Sequence, residues 1–264
     1  MISKLKRRYH RSARYRNVRF LILLAGLFFV GESFALPPCP ESGYRDNCFG
    51  VYTTANGDKY VAEFKDDKRD GPWAGYHDNG QLKVEGAFED GKRVGPWVYY
   101  YKNGQLRSKG YWKDSEEEGL WVDYYDNGQL WYKETYKDGK RDGPFVTYWD
   151  NGQLWEKGSY KDGKRDGPWV HYWKDGKLRE KGNRKDGKRD GPWVENYGNG
   201  QLFHKGTYKD GAAVGPWIGY HLDGQLKYKG NYKNGKQDGT WYRYYPDGKL
   251  ESKITYKNGK VVKQ

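Results

Sequence analysis

The sequence is poor in the residues that build most globular interiors and most enzyme active sites. Its 264 residues include two cysteines, one methionine and five histidines, and hydrophobic residues make up only 35%. The 12 tryptophans and 26 tyrosines carry the apolar surface that leucine, isoleucine and valine usually supply. We therefore expect any hydrophobic core to be thin and aromatic.

The scarcity of histidine and cysteine also argues against catalysis, because an active site needs converging groups of suitable type. The five histidines lie apart in the sequence, at His10, His77, His171, His204 and His221. Repeated Asp-Gly pairs resemble calcium-binding turns, but the lysines and arginines between them oppose a cation. We expect a protein that is not an enzyme and that has no catalytic residues, no cofactor and no metal site.

Long apolar runs are equally scarce. The clear one covers residues 20–30, comes after eight basic residues, and precedes Ser33 and Ala35 at the positions of a cleavage site. Residues 1–35 are therefore interpreted as a helical signal peptide. Alternatively, residues 20–35 stay as an uncleaved anchor, although about 11 apolar residues are few against the roughly 20 that cross a bilayer. We expect export to the periplasm or the cell envelope.

The two cysteines, Cys39 and Cys48, lie just beyond this segment and are nine positions apart. An oxidising compartment would join them in a disulfide, and the alternative is a pair of free buried thiols. Two cysteines without a nearby histidine do not complete a zinc site. We assign residues 36–56 to a cysteine-containing lead-in or cap.

The formal net charge of +13 lies largely at the N-terminus, because residues 1–35 hold eight basic residues and one acidic residue. The rest of the chain carries a net charge of +6, which is moderate for its length. We therefore expect no nucleic-acid partner.

A repeat of 24 residues runs through residues 57–264, which we assign to an array of about eight units. Each unit contains a glycine, usually a proline, and then an aromatic residue. These aromatic residues, which we expect to form a structural ladder, are Trp73, Trp97, Trp121, Phe145, Trp169, Trp193, Trp217 and Trp241. Chance does not keep so many motifs in phase without an insertion.

An Asn-Gly or Asp-Gly pair follows each of these aromatic residues and predicts a type I′ hairpin turn, in which both central residues have positive φ. The flanking segments are rich in strand-forming aromatic residues, and a second turn, such as residues 161–167, leads into the next unit. No stretch has helical periodicity. The sequence therefore predicts an all-β fold, in which tandem hairpins form one elongated antiparallel sheet, a meander or solenoid.

A two-residue turn fixes which residues face each other across a hairpin. With the Asn-Gly pair at residues 103–104 in the turn, Trp97 faces Gly110 and Tyr101 faces Leu106. We expect the indole to cover the glycine opposite it, and the pairs of aromatic residue and leucine to form a buried ladder on the same face.

The opposite face carries a lysine column, paired with valine or isoleucine, and a tyrosine column. The candidate binding face consists of Lys109, Lys133, Lys157, Lys181, Lys205 and Lys229, together with Tyr100, Tyr124, Tyr148, Tyr172 and Tyr220. We also place Trp131, Trp155 and Phe203 across from the tyrosine column. Equivalent groups recur about every 10 Å, the spacing of two strands, which suits a long anionic partner. Alternatively, the lysine stems only cover valines and keep this face soluble.

A third basic column contains the Lys-Arg pairs of the second turns. The pairs at residues 140–141, 164–165 and 188–189 are each followed directly by aspartate. We interpret the column as a set of self-neutralised, solvated turns.

The unit resembles the MORN repeat, in particular its bacterial variant form, with a Gly-x-Trp strand, an Asn-Gly-x-Leu turn and a Gly-x-Tyr-x-Asp-Gly strand. The resemblance covers about residues 47–260, and residues 56–65 are closer to the original MORN form. Departures from the pattern occur at Leu120, Glu134, Phe145, Thr240 and Ile254. The resemblance implies an elongated sheet used for protein interaction or membrane association, in a family that is commonly grouped with bacterial antitoxins.

These observations lead us to expect a non-catalytic scaffold in the bacterial cell envelope. Its partner is expected to be a protein, in a role that resembles that of an antitoxin or immunity protein. The alternative is that the lysine and tyrosine face binds an anionic membrane lipid or an envelope glycan.

Overall fold

The structure, a computed structural model, describes residues 36–262. In this part of the chain all regular secondary structure is β-strand, and the strands form one sheet. The expected signal peptide with its helix, or the alternative anchor, falls on residues 1–35 and so lies outside the described residues. Within the described range, no helix is long and apolar enough to cross a membrane.

The sheet contains 21 strands, three of which have only two residues. In chain order they are β1 (Cys48–Thr53), β2 (Lys59–Lys65), β3 (Lys68–Tyr76), β4 (Leu82–Glu89), β5 (Lys92–Tyr100), β6 (Leu106–Lys113), β7 (Glu116–Tyr124), β8 (Leu130–Lys137), β9 (Lys140–Arg141), β10 (Gly143–Tyr148), β11 (Leu154–Lys161), β12 (Lys164–Arg165), β13 (Gly167–Tyr172), β14 (Leu178–Lys185), β15 (Lys188–Asn196), β16 (Leu202–Lys209), β17 (Ala212–Tyr220), β18 (Leu226–Lys233), β19 (Lys236–Tyr244), β20 (Leu250–Lys257) and β21 (Lys260–Val261).

Every strand pairs antiparallel with a neighbour in the chain, from β1 with β2 to β20 with β21, which confirms the predicted meander. One unit is a hairpin, such as β15 with β16, and each unit pairs with the next through adjacent strands. The array is therefore a one-dimensional stack, in which a unit contacts mainly its neighbours.

The turn inside each unit is not the expected type I′ turn. At residues 101–104 the backbone N–H of Gly104 donates to the carbonyl of Tyr101 over 2.8 Å. Gly104 has a φ of 84°, whereas Asn103 does not have positive φ, so the turn is a type I turn followed by a glycine bulge. The side-chain oxygen of Asn103 accepts from the N–H of Gln105 over 3.0 Å, a local bond that stabilises this geometry.

This turn shifts the register of the residues next to it. Leu106 pairs with Tyr100 rather than with Tyr101, so the expected ladder of Tyr101 and Leu106 is wrong. The physical reason is the bulge, which adds one residue to the second strand of the hairpin. Tyr101 instead donates its hydroxyl hydrogen to the backbone carbonyl of Tyr124 in the next unit, over 2.7 Å.

The type I′ turn occurs between units. Asp162 and Gly163 have φ values of 48° and 78°, as both central residues of such a turn require. The N–H of Gly163 donates to the carbonyl of Arg141 over 2.8 Å, and the N–H of Asp162 donates to the carboxylate of Asp142 over 3.1 Å. These bonds join each second turn to the preceding one.

The core of the sheet is the face that carries the tryptophans, here called the tryptophan face. Trp97 is 1% exposed and pairs with Gly110, as predicted. Its ring, however, lies over Gly86 of the preceding unit, where an added Cβ would come within 2.3 Å of the indole. Gly110 lies under Trp121 instead. The expectation that each indole covers the glycine of its own hairpin is therefore wrong, and each ring joins two units.

Arginines of the second turns complete this core. The guanidinium carbon of Arg165 lies 3.9 Å from the ring centroid of Trp169, and that of Arg189 lies 4.3 Å from the ring centroid of Trp193. Cation–π contacts of this kind stabilise a fold by about 0.5–1 kcal/mol each at exposed sites. The interpretation of the Lys-Arg pairs as solvated turns is therefore wrong for these arginines.

The predicted disulfide between Cys39 and Cys48 is present. Cys48 is 2% exposed and packs against Phe64, while the N–H of Cys39 donates to the carbonyl of Phe49 over 2.8 Å. The lead-in thus attaches to β1 at the first edge of the sheet. Its assigned bounds, residues 36–56, remain a prediction.

One junction departs from the packing of tryptophan on glycine. Glu134 occupies the glycine position, and the ring expected above it is Phe145 instead of tryptophan. Glu134 is 4% exposed, accepts a hydrogen bond from the Tyr136 hydroxyl over 2.6 Å, and lies 3.0 Å from Nε of Arg141. A larger side chain and a smaller ring therefore share the room that glycine and tryptophan fill elsewhere.

The stack predicts that whole units can be removed. Deleting residues 167–190, which is 24 residues, keeps every strand in phase and should leave a folded protein with modestly lower stability. Deleting only residues 167–178 joins strands out of phase and should prevent cooperative folding. Urea unfolding followed by tryptophan fluorescence measures both variants, and equal stability of the two would contradict a stack of 24-residue units.

The junction at Glu134 predicts a coupled pair of substitutions. Phe145→Trp alone should destabilise the fold because the indole would overlap Glu134, and Glu134→Gly alone should destabilise it by leaving a gap. Together they recreate the packing of the other junctions, so the double variant should be more stable than either single variant. Urea unfolding should give a favourable coupling energy on the order of 0.5–3 kcal/mol. Additive effects would show that the two side chains do not share one space.

Candidate binding face

The face opposite the tryptophans carries an open groove that crosses the strands of several units. It has two adjoining parts, of about 910 Å³ and about 600 Å³, which share Pro192 and Val194. We name this surface the lysine-proline face. Three rows of side chains line it: Lys133, Lys157, Lys181, Lys205 and Lys229; Pro144, Pro168, Pro192 and Pro216; and Val146, Val170, Val194 and Ile218.

Each of these prolines lies two residues before the valine or isoleucine of its strand and so shares its face, at a place where the pairing with the preceding unit is interrupted. Gly167 has a φ of 93°, and Pro168 follows it where β13 is not paired with β11. Pairing between these strands begins two residues later, where Val170 faces Lys157. Proline lacks an N–H to donate, so a strand tolerates it where the ladder is interrupted. The same interruption occurs at Leu120 and Thr240, which replace proline in two units, so it does not depend on proline. Where proline is present, it adds a rigid apolar ring to the groove.

The lysines occupy equivalent register positions in successive units. Val170 pairs with Lys157 on one side and with Lys181 on the other. Val194 pairs in the same way with Lys181 and Lys205. As predicted, each lysine therefore lies beside β-branched side chains, and the row runs at right angles to the strands.

The lysines of the groove have no acidic partner among residues 36–262. All five are exposed, and no carboxylate there lies within 4.0 Å of their ammonium groups. Lysines at the turns differ, since Lys174 lies 2.6 Å from Asp150 and Lys68 lies 2.6 Å from Asp90. The row in the groove thus keeps an unneutralised positive charge beside apolar side chains.

The tyrosine column contributes less to the surface than expected. Tyr100, Tyr124, Tyr148, Tyr172 and Tyr220 are on the same side as the lysines, and all five are half-buried. Among them only Tyr172 lines the groove. The column is interrupted by Asn196, which pairs with Leu202.

The expected position of Trp155 across from the tyrosine column is wrong, because the turn bulge places it on the tryptophan face. There its Nε1 donates to Nε2 of His171 over 2.7 Å. Trp131 and Phe203 occupy the equivalent position in two other units. Trp131 contacts the ring of Tyr125 and Phe203 contacts the ring of Tyr197, with ring centroids 5.8 and 4.8 Å apart.

A polar row on the tryptophan face was not anticipated from the sequence. His171 pairs across strands with Glu156 and with Glu180. The Nδ1 of His171 lies 3.6 Å from Glu180, and Arg189 donates to the same carboxylate over 2.9 Å. The contact with His171, aided by Arg189, lowers the pKa of Glu180 against the opposing effect of desolvation. Both imidazole nitrogens have partners, so this row is a structural network.

The part of the chain that the structure describes contains no cluster of side chains suited to a metal ion.

The hairpins match a known family model, the MORN repeat variant. The matched segments are residues 69–90, 93–114, 117–138, 141–162, 165–186, 189–210, 213–234 and 237–258. The chain belongs to this family.

Each segment matched to the MORN repeat variant starts at the end of a second turn and spans one hairpin. The first match begins at residue 69, so residues 56–65, where we expected a form closer to the original MORN repeat, lie outside the matched segments. Strands β1 and β2 nevertheless form a hairpin in the same sheet.

Comparisons with individual proteins add little to the MORN assignment. No curated protein gave a significant match. Among solved structures, a chain titled "Crystal Structure of TcdB2-TccC3-Cdc42" is similar at 13% identity, with a TM-score of 0.21 over 76% of this chain. The chain spans 14% of the length of that protein. A likeness at this TM-score carries no argument about fold or function.

The two faces of the MORN sheet should respond differently to substitution. Trp169→Ala removes a buried ring and should cost on the order of 3–5 kcal/mol, less if the thin sheet relaxes. Replacing Lys157, Lys181 and Lys205 together by glutamate changes exposed side chains, and each change should alter stability by no more than about 0.5 kcal/mol. Urea unfolding measures both effects. A triple variant less stable than Trp169→Ala would mean that the lysines are part of the packing.

Proposed function

We propose that this chain is a non-catalytic scaffold of the bacterial cell envelope that holds a partner protein on its lysine-proline face. The observation that carries the proposal is the row of five exposed lysines, without acidic partners, along an open groove. Such a row attracts an anionic partner and favours its approach.

A protein suits this groove better than a purely ionic ligand does. Pro168, Pro192, Val170 and Val194 lie between and beside the lysines and would remain in water under a simple polyanion. A protein segment offers both carboxylates and apolar side chains, the combination found in the cores and rims of protein interfaces. A flat anionic membrane would contact the rims of the groove first, and a glycan would depend on tyrosines that are half-buried.

The proposed location rests on two features. The N-terminal segment has the order of a secretory signal, and the disulfide between Cys39 and Cys48 is typical of an oxidising compartment. A role like that of an antitoxin or immunity protein is a narrower form of the same proposal. It requires that the bound protein be a toxin whose activity falls on binding.

The test uses two variants with the same change in charge. In the groove variant, Lys157, Lys181 and Lys205 are replaced by glutamate. In the edge variant, three exposed lysines of the second turns are replaced by glutamate: Lys140, Lys164 and Lys188.

The full chain and both variants are used to capture proteins from an envelope extract, and bound proteins are identified by mass spectrometry. The groove variant should lose the partner protein, while the edge variant keeps it. Equal retention by all three would contradict the proposal. If the groove variant instead loses only sedimentation with anionic vesicles and captures the same proteins, the face binds lipid. Activity of the captured protein with and without the chain tests the narrower role.

A further inference from the structure

The five lysines of the groove form an evenly spaced row. Adjacent strands lie about 4.8 Å apart, so lysines of successive units stand about 9.6 Å apart. Each valine or isoleucine between them pairs with one lysine on either side, so the row does not drift along the strands. A ligand that neutralises the row must therefore present one negative group per unit, at steps of about 9.6 Å, toward the groove.

A β-strand does not meet this requirement. Three of its residues span about 10 Å, which is close to the lysine spacing. Its side chains alternate between two faces, however, so acidic residues at every third position would point alternately toward the lysines and away from them. Its hydrogen-bonding groups would also need partners, which the side chains lining this face do not supply in a regular ladder.

An α-helix meets the requirement poorly. The nearest repeat is seven residues, which rise about 10.5 Å, so the mismatch with a 9.6 Å step grows to about 4 Å over the row. Carboxylates that start above the lysines would therefore be about 4 Å out of step with them by the end of the groove.

The repeat of a polyproline II helix matches the spacing of the lysines. It has three residues per turn and rises about 3.1 Å per residue, so every third side chain lies on one face about 9.3 Å further along. The difference between the two spacings adds up to about 1 Å over the four steps between the five lysines, and the flexible lysine side chains accommodate it. This helix has no internal hydrogen bonds and docks in grooves lined by aromatic side chains. Here Tyr172 supplies an aromatic ring beside the apolar side chains of Pro168 and Val170.

We propose that the segment held in the groove is an extended chain in polyproline II conformation with an acidic residue at every third position. This inference rests on the proposed function, since it names the part of the partner protein that the lysine-proline face takes. The residues between the acidic ones contact the rows of proline, valine and isoleucine.

The test compares labelled peptides of the same composition by fluorescence anisotropy with the full chain. One peptide has five Glu-Pro-Pro triplets, and the other has the same residues with the glutamates unevenly spaced. The regular peptide should bind at least about tenfold tighter, because the uneven one cannot satisfy all five lysines at once. Binding should strengthen with each triplet added up to five, the number of lysines that line the groove.

The two variants serve as matched controls. The groove variant should lose binding of the regular peptide, and the edge variant should keep it. Equal affinity of the two peptides, or equal loss in both variants, would overturn the spacing inference. Tighter, lysine-dependent binding of polyphosphate or of phosphatidylglycerol vesicles would overturn it in favour of an anionic polymer or a lipid surface.

The two proposals can fail separately. If the envelope partner is lost from the groove variant but the peptides bind alike, the scaffold function stands and the spacing inference falls. If the groove variant captures every partner that the full chain captures, the function itself falls, whatever the peptides do.

Discussion

The structure depends on the close approach of an indole to bare backbone. A side chain at Gly182 would place its first carbon 2.0 Å from the ring of Trp193, so only glycine is compatible with this packing. Because the tryptophan comes from the following unit, the contact that builds the core is also the contact between repeats. Arginine stacking and turn-to-turn hydrogen bonds reinforce the same junction. A sheet with one packed face thereby gains a core without a second layer, and the opposite face remains free to bind.

The repeat period, the strand pairing and the tryptophan core could be predicted from the sequence, because Gly-Pro-Trp and Asn-Gly recur in phase. The turn types could not. Asn-Gly is compatible with a type I′ turn and with a type I turn followed by a bulge, and a local bond from Gln105 to Asn103 accompanies the second. Because the bulge adds one residue, the cross-strand partner of Leu106 is Tyr100 and not Tyr101. Period and pairing follow from patterns that span the whole chain, whereas the bulge follows from one local conformational choice.

The candidate face was predictable in part for the same reason. Alternation along the strands placed the lysine row opposite the tryptophans, and the structure keeps it there. The prolines were treated as part of the turn signal, although Pro168 lies two residues before Val170 and so shares its face. Contacts between units, such as Arg189 with Glu180 or His171 with Glu156, join residues of different hairpins. A rule for pairing within one hairpin does not cover all such contacts.

The direction of the hydrogen bonds has a mechanical consequence. In a meander the bonds between strands run across the strands, and here that direction is the long axis of the array. Tension between the two ends therefore loads one ladder at a time, so strands peel away in sequence rather than sliding past one another together. Each released unit adds 24 residues of chain, which extend to roughly 80 Å. A protein built this way lengthens stepwise under load, and units that have not yet been released keep their part of the groove.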